Sequence, residues 1–124
     1  MSDLQERIRG VIEGEDVALF MKGTPGFVMC GNSARALEAL RAAGAPLTAV
    51  DVLPDPRIRQ ELSALSGWPT IPQVFVKGEF VGGADIAEEL LGSGELEQKL
   101  GEALGPGYRD AREERVVDVL AVTA

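Results

Sequence analysis

The chain has 124 residues, 45% of them hydrophobic and 26% charged, with a formal net charge of −8; that suffices for one ordinary domain burying roughly two thirds of its unfolded surface. The acidity, with a pI near 4.5, argues against nucleic acid and anionic membranes, which would repel most of the surface, and no apolar run approaches the roughly 20 residues of a bilayer span. The opening MSDLQERIRG has no apolar signal core and fits a transit peptide poorly, while a lone cysteine agrees with a reducing compartment, so the expected location is the cytoplasm.

Residues 3–13 place Leu4, Ile8, Val11 and Ile12 at helical spacing with charges on the other face, which predicts an amphipathic helix. VALFMK, from Val17, reads as a buried strand closed by Gly23, Thr24, Pro25 and Gly26. The run SARALEALRAA, Ser33 to Ala43, is a strong helix former stopped by Gly44 and Pro46. LTAVDV, from Leu47, reads as a strand. DPRIRQELSAL, from Asp55, begins with an N-cap aspartate and a proline at the first helical position, and Gly67 ends that helix. PQVFV and EFVGG, joined by Lys77-Gly78, read as two short strands around a turn.

ADIAEELLGSGELEQKLGEAL then gives two helical pieces separated by Gly92, Ser93 and Gly94. A domain over 1–104 is followed by a tail over 105–124. Its end, VVDVLAV, is too apolar for an ordinary flexible tail and is expected to pack on this domain or on another chain. No internal repeat or low-complexity segment is evident. Two βα units and a hairpin predict an α/β chain with a mixed four-stranded sheet and helices on both faces, the thioredoxin-like arrangement.

Cys30, the only cysteine, stands where a loop turns into a helix in KGTPGFVMCGNS. The chain has no histidine, so neither an internal disulfide nor a four-ligand zinc site is open to it. Free N–H groups and the helix dipole favour the thiolate there, and Lys22 adds a positive charge, which suits redox exchange and iron binding alike. The other reading is an inert cysteine packing as a small hydrophobe. In WPTIPQ, Pro72 is the candidate for a cis peptide that would present Ile71's backbone to an extended ligand, against a plain proline-rich turn.

In GGAD, paired glycines admit a ligand close to the backbone, and Asp85 is either an ammonium acceptor or only an N-cap. Arg59 is either a ligand clamp or a solvated helix residue. GFVMCGNS, from Gly26 to Ser33, approaches the phosphate-loop pattern, with Asp51 as its magnesium aspartate, but Asn32 occupies the lysine position and removes the charge that would reach the outer phosphates.

Together, KGTP, CGNS at a helix start and WPTIPQVFVKGEFVGGADI after a third helix resemble the monothiol glutaredoxins, whose site typically reads CGFS, over about residues 3–104. The resemblance implies that glutathione is the missing partner of Cys30. Lys22 and Arg59 would hold its glycine carboxylate, Ile71 before Pro72 its cysteinyl backbone, and Gly83, Ala84 and Asp85 its γ-glutamyl end, with Gly31 and Asn32 beside the sulfur.

It further implies a [2Fe–2S] cluster ligated by Cys30 and glutathione in a cluster-bridged homodimer that is monomeric when apo, serving iron–sulfur client proteins, sometimes with a BolA-family partner. The alternatives are a glutathione-dependent thiol–disulfide oxidoreductase without cluster, or a glutathione- or partner-binding module. Asn32 replaces the phenylalanine of CGFS, where it would expose the sulfur to a polar amide or cap the helix. Ala84 stands where many members carry a second cysteine.

Overall fold

The computed structural model of the chain describes residues 2–121. A first helix, α1 (Asp3–Gly14), is capped by the Ser2 hydroxyl, which accepts from Gln5 N. The strand β1 (Val17–Met21) follows and is buried at every position. Val17, Leu19 and Met21 enter one core and Ala18 and Phe20 the other, so the continuous apolar run reflects a strand covered on both faces.

A miniature hairpin of β2 (Gly23–Thr24) and β3 (Phe27–Val28) leads to α2 (Gly31–Ala42). The strand β4 (Leu47–Asp51) pairs parallel with β1. In α3 (Pro56–Ser66) the Asp55 carboxylate caps Arg57 N and Gly67 closes the helix in the left-handed region, as its sequence signals require.

The strands β5 (Gln73–Val76) and β6 (Glu79–Gly82) form an antiparallel hairpin, and β5 pairs antiparallel with β1. Its two-residue turn takes positive φ at Lys77 and Gly78, the geometry that matches the strand twist. The helices α4 (Ala84–Ser93) and α5 (Glu95–Leu104) meet at left-handed Gly94. With β1 and β4, α2, α4 and α5 enclose one core, whereas α1 and α3 enclose the other. Among the described residues no helix is long and apolar enough to cross a membrane.

The mixed sheet with helices on both faces is therefore present, but it has five strands rather than four, in the order β6-β5-β1-β4-β7. The additional strand, β7 (Glu114–Val116), comes from the tail and runs parallel to β4. A 3-10 turn at Tyr108–Ala111 precedes it, and the buried Tyr108 hydroxyl donates to the Ala43 carbonyl at 2.7 Å. Arg41 reaches both carboxylate oxygens of Glu114 at 2.8 Å, and Val119 is buried against the α1–α3 side. The run VVDVLAV thus packs on its own domain through Ala121; Val122 lies outside the described residues. Sequence patterning missed β7 because all three of its residues are exposed, leaving no alternation to detect.

Candidate functional site

The loop that carries Cys30 is held at three points. Asp51, at the end of β4, accepts from Gly23 N and Leu53 N, both at 2.9 Å. Its carboxylate therefore braces the backbone, and Gly26–Ser33 folds as a hairpin and a helix start rather than a phosphate cradle. Met29 N donates to the Lys22 carbonyl at 2.9 Å, and Lys22 N donates to Ser33 Oγ at 3.0 Å. Gly23, at φ +94°, is required here: a Cβ would lie 2.3 Å from the Phe27 carbonyl oxygen.

Cys30 is the N-cap of α2, in extended conformation, and no side chain caps that helix end. Cys30 is half-buried, and the nearby main-chain N–H of Ser33, then that of Asn32, favour the thiolate, with Lys22's charge and the Ser33 hydroxyl adding to them. These outweigh partial burial and hold the thiol below its ordinary range. The inert-hydrophobe reading is thereby disfavoured. Asn32 does not cap the helix: it is the second helical residue, exposed, and its amide oxygen accepts from Arg35 Nη1 at 3.0 Å. Phe27 and Met29, 72% and 55% exposed, flank the thiol in sequence with apolar surface.

The Ile71–Pro72 peptide is cis. Buried Gln73 ties this loop down, its Nε2 donating to the Trp68 carbonyl at 3.0 Å and the Thr70 carbonyl at 3.2 Å. The glycine pair is explained partly by internal packing. At Gly82, φ +150°, a Cβ would meet Ile86 Cβ at 2.7 Å, and at Gly83 it would lie 3.3 Å from the Pro72 carbonyl oxygen. Gly83, not Asp85, is the N-cap of α4, and Asp85 is an exposed residue of its first turn.

These elements enclose a cavity of about 210 Å³ lined by Asn32, Ile71, Pro72, Gly83, Ala84 and Asp85 from the sequence reading. Lys22 is half-buried and close enough to act on the thiol, and Gly31 opens α2. Arg59 lies on the exposed face of α3, outside the cavity lining.

Sequence reasoning missed Arg35, Trp68, Thr70 and Ile86 in the wall and Ser33 beneath the loop. Arg35 was accessible in principle, standing three residues after Asn32 and thus on the same face of α2. Its Nη2 meets Asp85 Oδ1 at 2.6 Å and also Glu88, while Nε meets Glu88 Oε1 at 3.1 Å. The arrangement offers a reactive thiol beside a pocket that presents a carboxylate, a guanidinium and uncapped helix N–H groups. Among the described residues there is no group of three or more histidine, cysteine or acidic side chains placed to hold a metal, so the chain brings one soft ligand.

The glutaredoxin family model matches residues 17–81. The relative named probable monothiol glutaredoxin GrlA, of Legionella pneumophila, is 50% identical over 86 residues, 69% of this chain and 97% of that protein. The chain belongs to the monothiol glutaredoxins. Monothiol glutaredoxin-S11 of rice is 46% identical over 99 residues, 80% of the chain, but the chain spans only 20% of that longer relative. Among solved structures, reduced apo GrxS14 of poplar superposes with TM-score 0.72 at 40% identity, covering 82% of this chain and 93% of that one. A buckwheat glutaredoxin–glutathione complex shares the fold, with TM-score 0.69 at 22% identity over 82% of this chain and 93% of that one.

Proposed function

We propose that this glutaredoxin binds glutathione and uses Cys30 to carry a [2Fe–2S] cluster between two protomers for delivery to client proteins in the cytoplasm. The observation that carries the reading is the activated, half-exposed Cys30 at the uncapped start of α2, beside a pocket whose charged groups match those of a glutathionyl peptide. The buckwheat complex lends support to glutathione as the ligand.

Such a cluster takes four thiolates, and the chain has one cysteine. The donor set fits when each of two protomers contributes Cys30 and one bound glutathione thiolate, with the apo protein a monomer. Asp85, Gly83 and Ala84 take the γ-glutamyl end, Ile71 beside Pro72 the cysteinyl backbone, and Lys22 the glycine carboxylate. Arg59 would join Lys22 by reaching in from α3. A BolA-family partner would have to supply its own iron ligands in a mixed complex.

The test is anaerobic incubation with iron, sulfide and glutathione, followed by sizing with visible absorption. A brown dimer that forms only when glutathione is present supports the reading; a colourless monomer sinks it. Exposed, polar Asn32 in place of an apolar side chain favours a second reading, deglutathionylation. There the Cys30 thiolate attacks the glutathione sulfur of a mixed disulfide, releasing the client thiolate and forming Cys30–S–S–glutathione. A second glutathione thiolate then attacks the bound glutathione's sulfur, releasing oxidised glutathione and restoring Cys30.

A further inference from the structure

Arg35 makes four donor contacts from a guanidinium that offers five N–H groups, and its three acceptors are not equivalent. Glu88 takes two of the contacts and Asn32 a third, so Arg35 stays anchored between α2 and α4 whatever Asp85 does. Asp85 contributes a single contact, through Oδ1, and its side chain is 88% exposed. An exposed ion pair of this kind contributes little to stability and is readily exchanged.

We propose that Arg35 is the specificity-determining residue of the cavity: on ligand entry it exchanges Asp85 for the carboxylate of an α-amino-acid group, while Asp85 takes that group's ammonium. The assignment rests on the glutathione reading above, in which the γ-glutamyl end carries such a pair. Every charge remains partnered through the exchange. A ligand with only an ammonium would take Asp85 and return nothing to Arg35; one with only a carboxylate would leave Asp85 unpaired. Because Asp85 is 88% exposed and Glu88 stays on Arg35, the charge left over adds little, and discrimination comes chiefly from the new bonds between Arg35 and the carboxylate. The uncapped N–H groups at the start of α4, where Gly83 supplies no side-chain bond, face the same need and reinforce the carboxylate seat.

The test compares glutathione with γ-aminobutyryl-cysteinyl-glycine, which lacks only the α-carboxylate of the γ-glutamyl group, by calorimetric titration of the wild type, Arg35→Met and Arg35→Lys. Salt at about 0.5 M screens charges beyond a few ångströms. The wild type should bind the truncated peptide at least tenfold more weakly than glutathione, Arg35→Met less than threefold, and Arg35→Lys between them, because lysine keeps the charge without the planar fork. A merely structural role would weaken both peptides equally and leave the ratio at its wild-type value. That unchanged ratio, with glutathione still bound, overturns the Arg35 assignment and spares the glutathione reading; no binding of glutathione by the wild type removes both.

Discussion

The main-chain N–H of Lys22 donates to the Oγ of Ser33 at 3.0 Å, joining the exit of β1 to the first turn of α2. Everything between the two residues, Cys30 included, is held in a closed loop by this bond and its neighbour, Met29 N to the Lys22 carbonyl. Ser33 is completely buried.

Ser33→Ala leaves the Lys22 N–H without its acceptor beneath the part-buried loop, at an expected cost of about 1–3 kcal/mol. Urea denaturation measures it, and wild-type stability in the variant would show that the loop is held by other means. The main-chain N–H of Ser33, the leading influence on the Cys30 thiol, survives in alanine, and only the smaller contribution of the Ser33 hydroxyl is lost, so the thiol of the variant should titrate only slightly higher than that of the wild type.

Alkylation rate against pH should rise to its plateau below the range of an ordinary cysteine, since Ser33 and Asn32 N–H groups and the Lys22 charge favour the thiolate. Lys22→Met should displace the curve to higher pH. The folded thiol titrates below the unfolded one, so thiolate formation adds stability above the unfolded pKa, and that contribution is lost as pH falls through the folded pKa. Cys30→Ser should remove this pH dependence and leave the fold intact; it should also abolish cluster binding and thiol exchange, and a serine variant with a normal cluster would refute the role of Cys30.

Asn32→Phe restores the apolar side chain of the CGFS pattern and frees Arg35 Nη1 from its amide partner. Cluster decay in air should be slower in this variant than in the wild type when both are followed by visible absorption. Equal decay rates would make the amide neutral.

Tyr108→Phe removes the buried hydrogen bond to the Ala43 carbonyl and should cost about 1–2 kcal/mol. Deleting 105–124 should cost more, since it also strips β7 from β4 and Val119 from its core. Denaturation midpoints rank the two variants; a truncated chain as stable as wild type would mean that the tail merely rests on the domain.

Much of this was legible where side chains alternate or punctuate. The Asp55-Pro56 start and Gly67 stop of α3, the Lys77-Gly78 turn and the fully apolar β1 announce themselves because capping and burial act locally. The candidate site was legible where motifs carried it, from Cys30 to Pro72 and Gly83. Arg35 and Ser33 were not, because their roles depend on partners up to 53 residues away in sequence or on a main-chain N–H that no composition records. The β2–β3 hairpin escaped for a related reason: with two residues in each strand it has no period, and Asp51, from another strand, holds it shut.

The tail strand has one further consequence. Without it, the sheet would end at β4, whose buried Leu47–Val50 run, apolar but for Thr48, would offer a row of backbone donors and acceptors to any other chain. With it, the sheet ends in three residues led by Glu114 and Arg115, each tied by charge to its own domain through Arg41 and Glu15. Short, charged borders of this kind discourage strand-to-strand recruitment. β7 therefore works as a guard rail, steering any meeting of two copies away from the β4 edge of the sheet.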